Sequence, residues 1–357
     1  MINRFRKYMV LGLVALFLAT SCAYSVSEAQ SDDRRRPLRD WIKRKMEQRQ
    51  SGDSRTDVDT QPIEGSYQSF GDASYGPGDY SRDIEHDGTS RYYEIHVPPS
   101  YTDDRAMPVV LVFHGGAGNP QQQRNDSQMD TIADANGFIV VYPAGTGLLR
   151  TRLLTYNAGI CCGPAKKNNV DDVGFTRAIL DDINTFFHID NKRVYATGFS
   201  NGAFMDYRLA CELADRIAAI GPVSGVLGVD NCMPSRPVSI IHFHGRQDPN
   251  AVYNGGVGPN AKEKIPRRGV HETIEIFVRL YGLPEQPVET SKNGTVLYER
   301  WADGPDGVEI VLYTIDDAGH TWPGGRTSIS ESKVGKLSLA IRASELMWKF
   351  FERHSLP

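Results

Sequence analysis

No apolar run in this 357-residue sequence is long enough to cross a bilayer. The clearest candidate, Val10 to Leu18, falls short of the roughly 20 residues that about 30 Å of hydrocarbon requires. Positive charge is not in excess either. The 40 Lys and Arg stand against 44 Asp and Glu, a formal net charge of −4, which excludes a general nucleic-acid binder that relies on a strong basic field. No internal repeat is present, so repeat and propeller architectures are excluded. Cysteine is scarce and odd in number, with five residues. What remains is a globular balance of 40% apolar and 24% charged residues, too apolar for a chain disordered throughout. The length suits one large α/β domain with appendages, or two small domains.

The amino end accounts for the odd cysteine. Arg4, Arg6 and Lys7 precede the short apolar run, the pattern of a secretory signal over residues 1–29. Ser27-Glu28-Ala29 offers small residues at the −3 and −1 positions of a leader-peptidase site. Leu18-Ala19-Thr20-Ser21-Cys22 offers the alternative of a lipoprotein leader that ends before Cys22, whose lipidation would tether the chain to a membrane. Either route leaves four cysteines, an even number suited to an oxidising compartment. The expected location is secreted or periplasmic, or anchored at the outer surface. Residues 30–80 then read as a disordered charged linker, rich in Arg, Asp, Gln and Ser and poor in branched apolar residues. Through Thr60 there are 12 basic and 8 acidic residues, which leaves the remainder at −8. That remainder is residues 61–357, and most of its acidity belongs to the folded part, residues 81–357.

That part alternates strands with helices. Strands are expected at Arg91–Val97, Pro108–Phe113, Phe138–Tyr142, Arg193–Thr197, Ile217–Pro222, Val238–Phe243, Val296–Trp301 and Val308–Ile315. Helices are expected at Ser127–Asn136, Asp172–Phe187, Asn201–Ala214, Val270–Tyr281 and Ser338–His354. Pro108 to Phe113 is continuously apolar, the mark of a strand buried on both faces. In Asp172–Phe187 the residues Phe175, Ile179, Ile183 and Phe186 recur at helical spacing. Such alternation predicts a mostly parallel central sheet with helices on both faces.

Three segments carry chemistry. Gly198-Phe199-Ser200-Asn201-Gly202 follows a strand and opens a helix, the context of a nucleophile elbow. The flanking glycines suit a turn with no room for a Cβ, and the helix N-terminus favours developing negative charge. In His242-Phe243-His244-Gly245-Arg246-Gln247-Asp248-Pro249 a buried strand runs into a turn that ends in an acid, where catalytic groups gather in such sheets. His242 and His244 share one strand face and lack a third metal ligand nearby, so they read as core or loop-anchoring residues. His320, in Asp316-Asp317-Ala318-Gly319-His320-Thr321-Trp322-Pro323, follows a strand and is the candidate base. The chain order Ser200, Asp248, His320 is that of an α/β-hydrolase triad. Phe113-His114-Gly115-Gly116-Ala117-Gly118 sits where such folds supply one oxyanion N–H, and the N–H of Asn201 would be the second. The same glycines lack the G-x-x-x-x-G-K-[ST] form of a phosphate loop.

Residues from about 90 to 350 resemble the polyhydroxybutyrate-depolymerase-like and feruloyl-esterase-like α/β hydrolases of carbohydrate esterase family 1. The stretches that carry the resemblance are LVFHGGAGN, YNAGICCGPA, VDDVGFTRAIL, RVYATGFSNGAFMDYRLACEL, HFHGRQDP and GHTWPGG. The resemblance implies an α/β-hydrolase fold, Ser200 as nucleophile, Asp248 as orienting acid, His320 as base, and Gly116 and Asn201 as oxyanion donors. The chain departs from the family pattern at Tyr156, where Trp is usual, and in the loop 254–268. His114, Tyr156, Trp322 and that loop are expected to meet the substrate. Cys161, Cys162, Cys211 and Cys232 are the disulfide candidates. Adjacent cysteines rarely join each other, so Cys161 and Cys162 are expected to bridge to Cys211 and Cys232. The spacing matches no usual zinc pattern, and no cofactor or metal is called for. The expected activity is hydrolysis of feruloyl or acetyl esters on plant polysaccharides by a monomer. The alternatives are a polyhydroxyalkanoate depolymerase and an inactive carbohydrate-binding protein. A propeller-type peptidase is disfavoured, because no repeats precede the triad segments.

Overall fold

The computed structural model describes residues 75–357. The expected leader, Cys22 and the charged segment as far as residue 74 lie outside the described residues. The described residues build one sheet of ten strands: β1 (Gly78–His86), β2 (Thr89–Val97), β3 (Met107–Phe113), β4 (Ile139–Pro143), β5 (Ile189–Phe199), β6 (Ala219–Val223), β7 (Ser239–Gly245), β8 (Glu289–Asn293), β9 (Val296–Trp301) and β10 (Ile310–Ile315). The spatial order is β1-β2-β4-β3-β5-β6-β7-β10-β9-β8. The six central strands from β4 to β10 run parallel. Antiparallel pairs close both edges, β1–β2 on one side and β9–β8 on the other.

The helices are α1 (Pro120–Ser127), α2 (Met129–Asn136), α3 (Gly163–Lys167), α4 (Asp172–Ile183), α5 (Asn201–Glu212), α6 (Val270–Leu280), α7 (Glu331–Val334) and α8 (Ala343–Phe351). Alternation along β3 shows why helices cover both faces. Val109, Leu111 and Phe113 pack with Phe175 and Ile179 of α4, Leu209 of α5 and Ile274 of α6. Val110 and Val112 pack on the other face with Ile132 of α2 and Met347 and Phe351 of α8. A strand buried on both faces must be apolar at every position, and β3 is.

The sequence pattern missed β1, β8, α1 and the short α3 and α7. β1 begins at Gly78, inside the segment expected to be linker, and only Tyr80 among its nine residues is buried. β8 is exposed throughout. Each edge strand is held by a tight turn instead of an apolar face. Asp87 and Gly88 both have positive φ, 50° and 68°, the backbone of a type I′ hairpin turn. α1 lacks apolar periodicity and rests on its start: Asn119 Oδ1 accepts the Gln122 N–H at 2.8 Å, and Pro120 occupies the first turn.

The cysteine pairing differs from expectation. Cys211, near the end of α5, joins Cys232 with Cα atoms 4.9 Å apart, inside the span a disulfide requires. With both of those engaged, Cys161 and Cys162 are joined to each other.

Candidate active site

Ser200 stands between β5 and α5 with φ 52° and ψ −114°. This region is costly for a residue with a Cβ and is characteristic of functional sites. The surroundings impose it. A Cβ on Gly198 would lie 2.6 Å from the backbone carbon of Gly202, and one on Gly202 would lie 2.2 Å from the Phe113 carbonyl oxygen. The two glycines let β5, α5 and β3 meet at backbone contact, and the turn between them projects Ser200. Its backbone N–H donates to Val223 O at 2.9 Å.

Loops from the ends of β7 and β10 bring the other two residues to it. His320 Nε2 lies 2.8 Å from Ser200 Oγ, and His320 Nδ1 lies 2.7 Å from Asp248 Oδ2. The other carboxylate oxygen, Oδ1, accepts the N–H groups of Asn250 and Ala251, both at 2.7 Å. Burial opposes the charge of Asp248, but the adjacent His320 and the hydrogen bonds from His244 and His320 outweigh it and hold the carboxyl well below its usual range. The aspartate is thus an anion at neutral pH and accepts the Nδ1–H of His320. That leaves Nε2 as the ring atom able to take a proton from the serine.

Gly116 and Asn201, the expected oxyanion donors, lie beside each other: a Cβ on Gly116 would come 3.6 Å from Asn201 Cβ. Asn201 is the first residue of α5, where N–H groups lack an intrahelical acceptor. The neighbouring Ala117 N–H is taken by Leu154 O at 2.8 Å, whereas among the described residues no backbone acceptor pairs with that of Gly116. The Asn201 side chain faces away, accepting from Tyr156 N at 2.8 Å and donating to Tyr156 O at 3.1 Å. It thereby ties the start of α5 to the 154–157 segment.

Three of the residues expected to touch substrate are buried. Tyr156 is fully buried, and its hydroxyl donates to Pro143 O at 2.6 Å. His114 is fully buried too. Its Nδ1–H donates to Gly115 O at 2.8 Å and its Nε2 accepts from Gly145 N at 3.1 Å. Burial pushes its pKa down to about 4, so it is a neutral brace under the glycine loop. Trp322 is buried, with its indole N–H on Ser344 Oγ at 3.0 Å, which pins the His320 loop to α8. The loop 254–268 does lie at the site: Asn260 N donates to Pro249 O at 2.9 Å, and Arg267 donates to Asn250 O at 3.0 Å. It wraps the turn that carries Asp248.

Sequence reasoning passed over two supporting groups. Asp172, buried in α4, accepts from Arg91 and from Asn157 N, each at 2.6 Å. It links β2 to the segment that Asn201 holds. Asp172 stands in the stretch VDDVGFTRAIL, but nothing local pairs it with Arg91 or with Asn157. Asp206, on α5, is fully buried, and the Gly198 backbone N–H is the one group that favours its charged form. Burial raises its pKa well above the usual range, and it is a neutral acid. An acid with a raised folded pKa costs stability that grows as pH rises from its unfolded value near 4 towards the folded one. Asp206→Ala should therefore stabilise the protein by about 1–2 kcal/mol at pH 8. The gain should shrink towards pH 4, as read by urea unfolding at both pH values.

Among the described residues, two groups bring three potential metal ligands within 4.8 Å of one another: Asp79, His96 and Asp130, and Cys161, Cys162 and Glu263. In the first, the Arg124 guanidinium pairs with both carboxylates and takes the cation's place. In the second, the sulfurs are joined to each other.

A mostly parallel sheet with a serine on a strained strand-to-helix turn, and an acid and a histidine on later strand ends, defines an α/β hydrolase. Two solved structures show the same fold. An acetyl xylan esterase from Aspergillus awamori has a TM-score of 0.50 at 17% identity, covering 68% of this chain and 94% of that one. An S-formylglutathione hydrolase from Agrobacterium tumefaciens also scores 0.50, at 11% identity, covering 79% of this chain and 97% of that one. Residues 91–280 match the family described as Esterase PHB depolymerase, and the chain belongs to that family. Feruloyl esterase B of Piromyces equi is 30% identical over 270 residues, which are 74% of this chain and 45% of that protein. The chain thus spans less than half the length of that relative. A putative esterase, NocK, of Nocardia uniformis subsp. tsuyamanensis is 28% identical over 275 residues, 71% of this chain and 77% of that one. No helix of the described residues is long and apolar enough to cross a membrane.

Proposed function

We propose that this protein is an exported serine esterase that cleaves feruloyl or acetyl esters carried on plant polysaccharides. The observation that carries the reading is the unbroken hydrogen-bonded line Ser200–His320–Asp248 at the mouth of a strained elbow. In the proposed reaction His320 Nε2 takes the proton of Ser200 Oγ as that oxygen attacks the ester carbonyl. The N–H groups of Gly116 and Asn201 hold the tetrahedral oxyanion, an interaction worth roughly 3 kcal/mol for each donor in comparable sites. His320 returns its proton to the departing alcohol. It then deprotonates the water that frees the acid and regenerates Ser200. Asp248 keeps the imidazole in one tautomer and stabilises its charged form throughout.

Residues 81–357 form the catalytic domain in this reading. The amino-terminal segment exports the chain, by leader cleavage or by lipidation at Cys22. The feruloyl and acetylxylan esterases among its relatives support the polysaccharide ester. The family description favours a second reading, a polyhydroxyalkanoate depolymerase.

The test compares kcat/KM on methyl ferulate, acetylated xylan and hydroxybutyrate oligomers. The first two should be cleaved at least tenfold faster than the third. The reverse order makes the protein a depolymerase. Failure to hydrolyse any of them would leave it a binding protein.

A further inference from the structure

The hydrogen-bonded line does not end at Asp248. Behind it, on the face of the sheet covered by α5 and α6, three buried side chains continue: Tyr207 on α5, and His242 and His244 on β7. Tyr207 Oη lies 2.7 Å from His242 Nδ1, and His242 Nε2 lies 3.1 Å from His244 Nδ1. His244 Nε2 lies 2.7 Å from the Ala251 carbonyl oxygen and 3.5 Å from Asp248 Oδ2. All three side chains are shut off from solvent.

The far end of this line fixes the direction of every bond in it. A carbonyl oxygen only accepts, so His244 Nε2 must carry hydrogen. With a single hydrogen on its ring, His244 has a bare Nδ1, which requires a donor, and the donor is His242 Nε2–H. His242 in turn has a bare Nδ1, which the Tyr207 hydroxyl supplies. With one hydrogen on each ring, this arrangement satisfies all the groups. Burial keeps His242 neutral, its pKa held well below the usual range.

The receiving end of the line is the turn that presents the acid. The Ala251 peptide gives its N–H to Asp248 Oδ1 at 2.7 Å and takes the His244 N–H on its carbonyl at 2.7 Å. It is gripped on both sides, and the carboxylate can turn neither away from His320 nor towards solvent. We propose that Tyr207, His242 and His244 are positioning residues that hold Asp248, through a one-directional line of buried hydrogen bonds, in the orientation His320 requires. The assignment rests on the reading of Ser200, His320 and Asp248 given above.

Other polar groups around the line are accounted for. The Tyr253 ring stands edge-on to His244, with its hydroxyl on Thr314 Oγ1 at 2.7 Å. His271 of α6 adds a like-charge influence on His242, and Arg267 of the 254–268 loop feels the charge of Asp248. None of them supplies the donor that His242 Nδ1 needs.

The decisive variant is Tyr207→Phe. It keeps the ring stacked on Phe277 and deletes only the proton that fixes the tautomers. The expected result is a kcat about tenfold lower with KM within twofold, because small misplacements of a catalytic group are costly. The acid limb of the kcat/KM profile should move as well, and the downfield proton resonance of the His320 Nδ1–H should shift. His244→Leu should lose about 100-fold, and His244→Gln, which keeps a donor for Ala251, should recover part of that loss. A lowered Tm with an unchanged kcat, pH profile and resonance in Tyr207→Phe and His244→Leu would overturn the proposal and leave these residues structural. If instead wild type and Ser200→Ala hydrolyse esters equally, the esterase reading fails. The imidazole resonance of Tyr207→Phe still decides the positioning role, because it is read without substrate.

Discussion

Ser200→Ala should lower ester hydrolysis by roughly 10⁴- to 10⁶-fold, the range seen when an acyl-enzyme nucleophile is removed, and leave the fold intact. Ser200 Oγ is partnered by His320 Nε2 at the edge of the site, so its loss strands no deeply buried polar group. The Cβ and the strained backbone remain, so stability should stay within about 0.5 kcal/mol of wild type. The measurement is turnover of a p-nitrophenyl ester with denaturant unfolding on the same preparations. Asp248→Asn should cost about 10⁴-fold by the tautomer argument, because an amide N–H cannot accept the Nδ1–H of His320. A Ser200→Ala protein that turns over at the wild-type rate would remove the basis for the mechanism.

Gly202→Ala should be among the most destabilising single methyl additions near the site. Alanine is favoured over glycine in a helix by about 1 kcal/mol, and Gly202 is the second residue of α5, so propensity alone predicts a gain. Sterics reverse the sign. The added Cβ would sit 2.2 Å from the Phe113 carbonyl oxygen and 2.7 Å from its carbon. Both atoms are backbone of the central strand β3, and no flexible side-chain end is available to yield. The helix or the strand must move, and the expected loss exceeds about 4 kcal/mol, at the upper end for a point change. Gly116→Ala is the control. Its Cβ would meet only Asn201 Cβ at 3.6 Å, an ordinary contact, and it should fold normally. Equilibrium urea unfolding separates the two, and equal midpoints would contradict the steric account.

These cases show what was legible in the sequence. The elbow could be read because close backbone packing demands glycine at fixed spacing, and the spacing is visible in one dimension. The buried strands could be read because burial on both faces leaves no polar position. The three side chains that the structure draws into one line follow the order that the motifs suggested. The burial of the expected pocket residues was not legible, for a complementary reason. An aromatic residue beside a motif looks available, but Tyr156 spends its hydroxyl on Pro143 O and its face on Phe113 and His114. The supporting line from Tyr207 was half visible. The i, i+2 spacing of His242 and His244 put them on one strand face, but nothing local pairs either with a tyrosine 35 residues earlier. The edge strands carried turn signals, Asp87-Gly88 and Asn293-Gly294, and no apolar alternation, so a reading led by periodicity passed over them.

The outermost strand also answers a question that any open sheet poses: why it stops. Each added strand leaves a fresh row of N–H and C=O groups that another chain could extend. β8 ends the series with Glu-Thr-Ser-Lys-Asn, every residue exposed, and Lys292 is held by Asp316 at 2.7 Å. A newcomer strand would find backbone partners there but no apolar stripe to bury, and it would have to strip water from a lysine–aspartate pair. On this edge the sheet, ten strands among the described residues, stops because β8 offers an incoming chain hydrogen bonds without a hydrophobic reward.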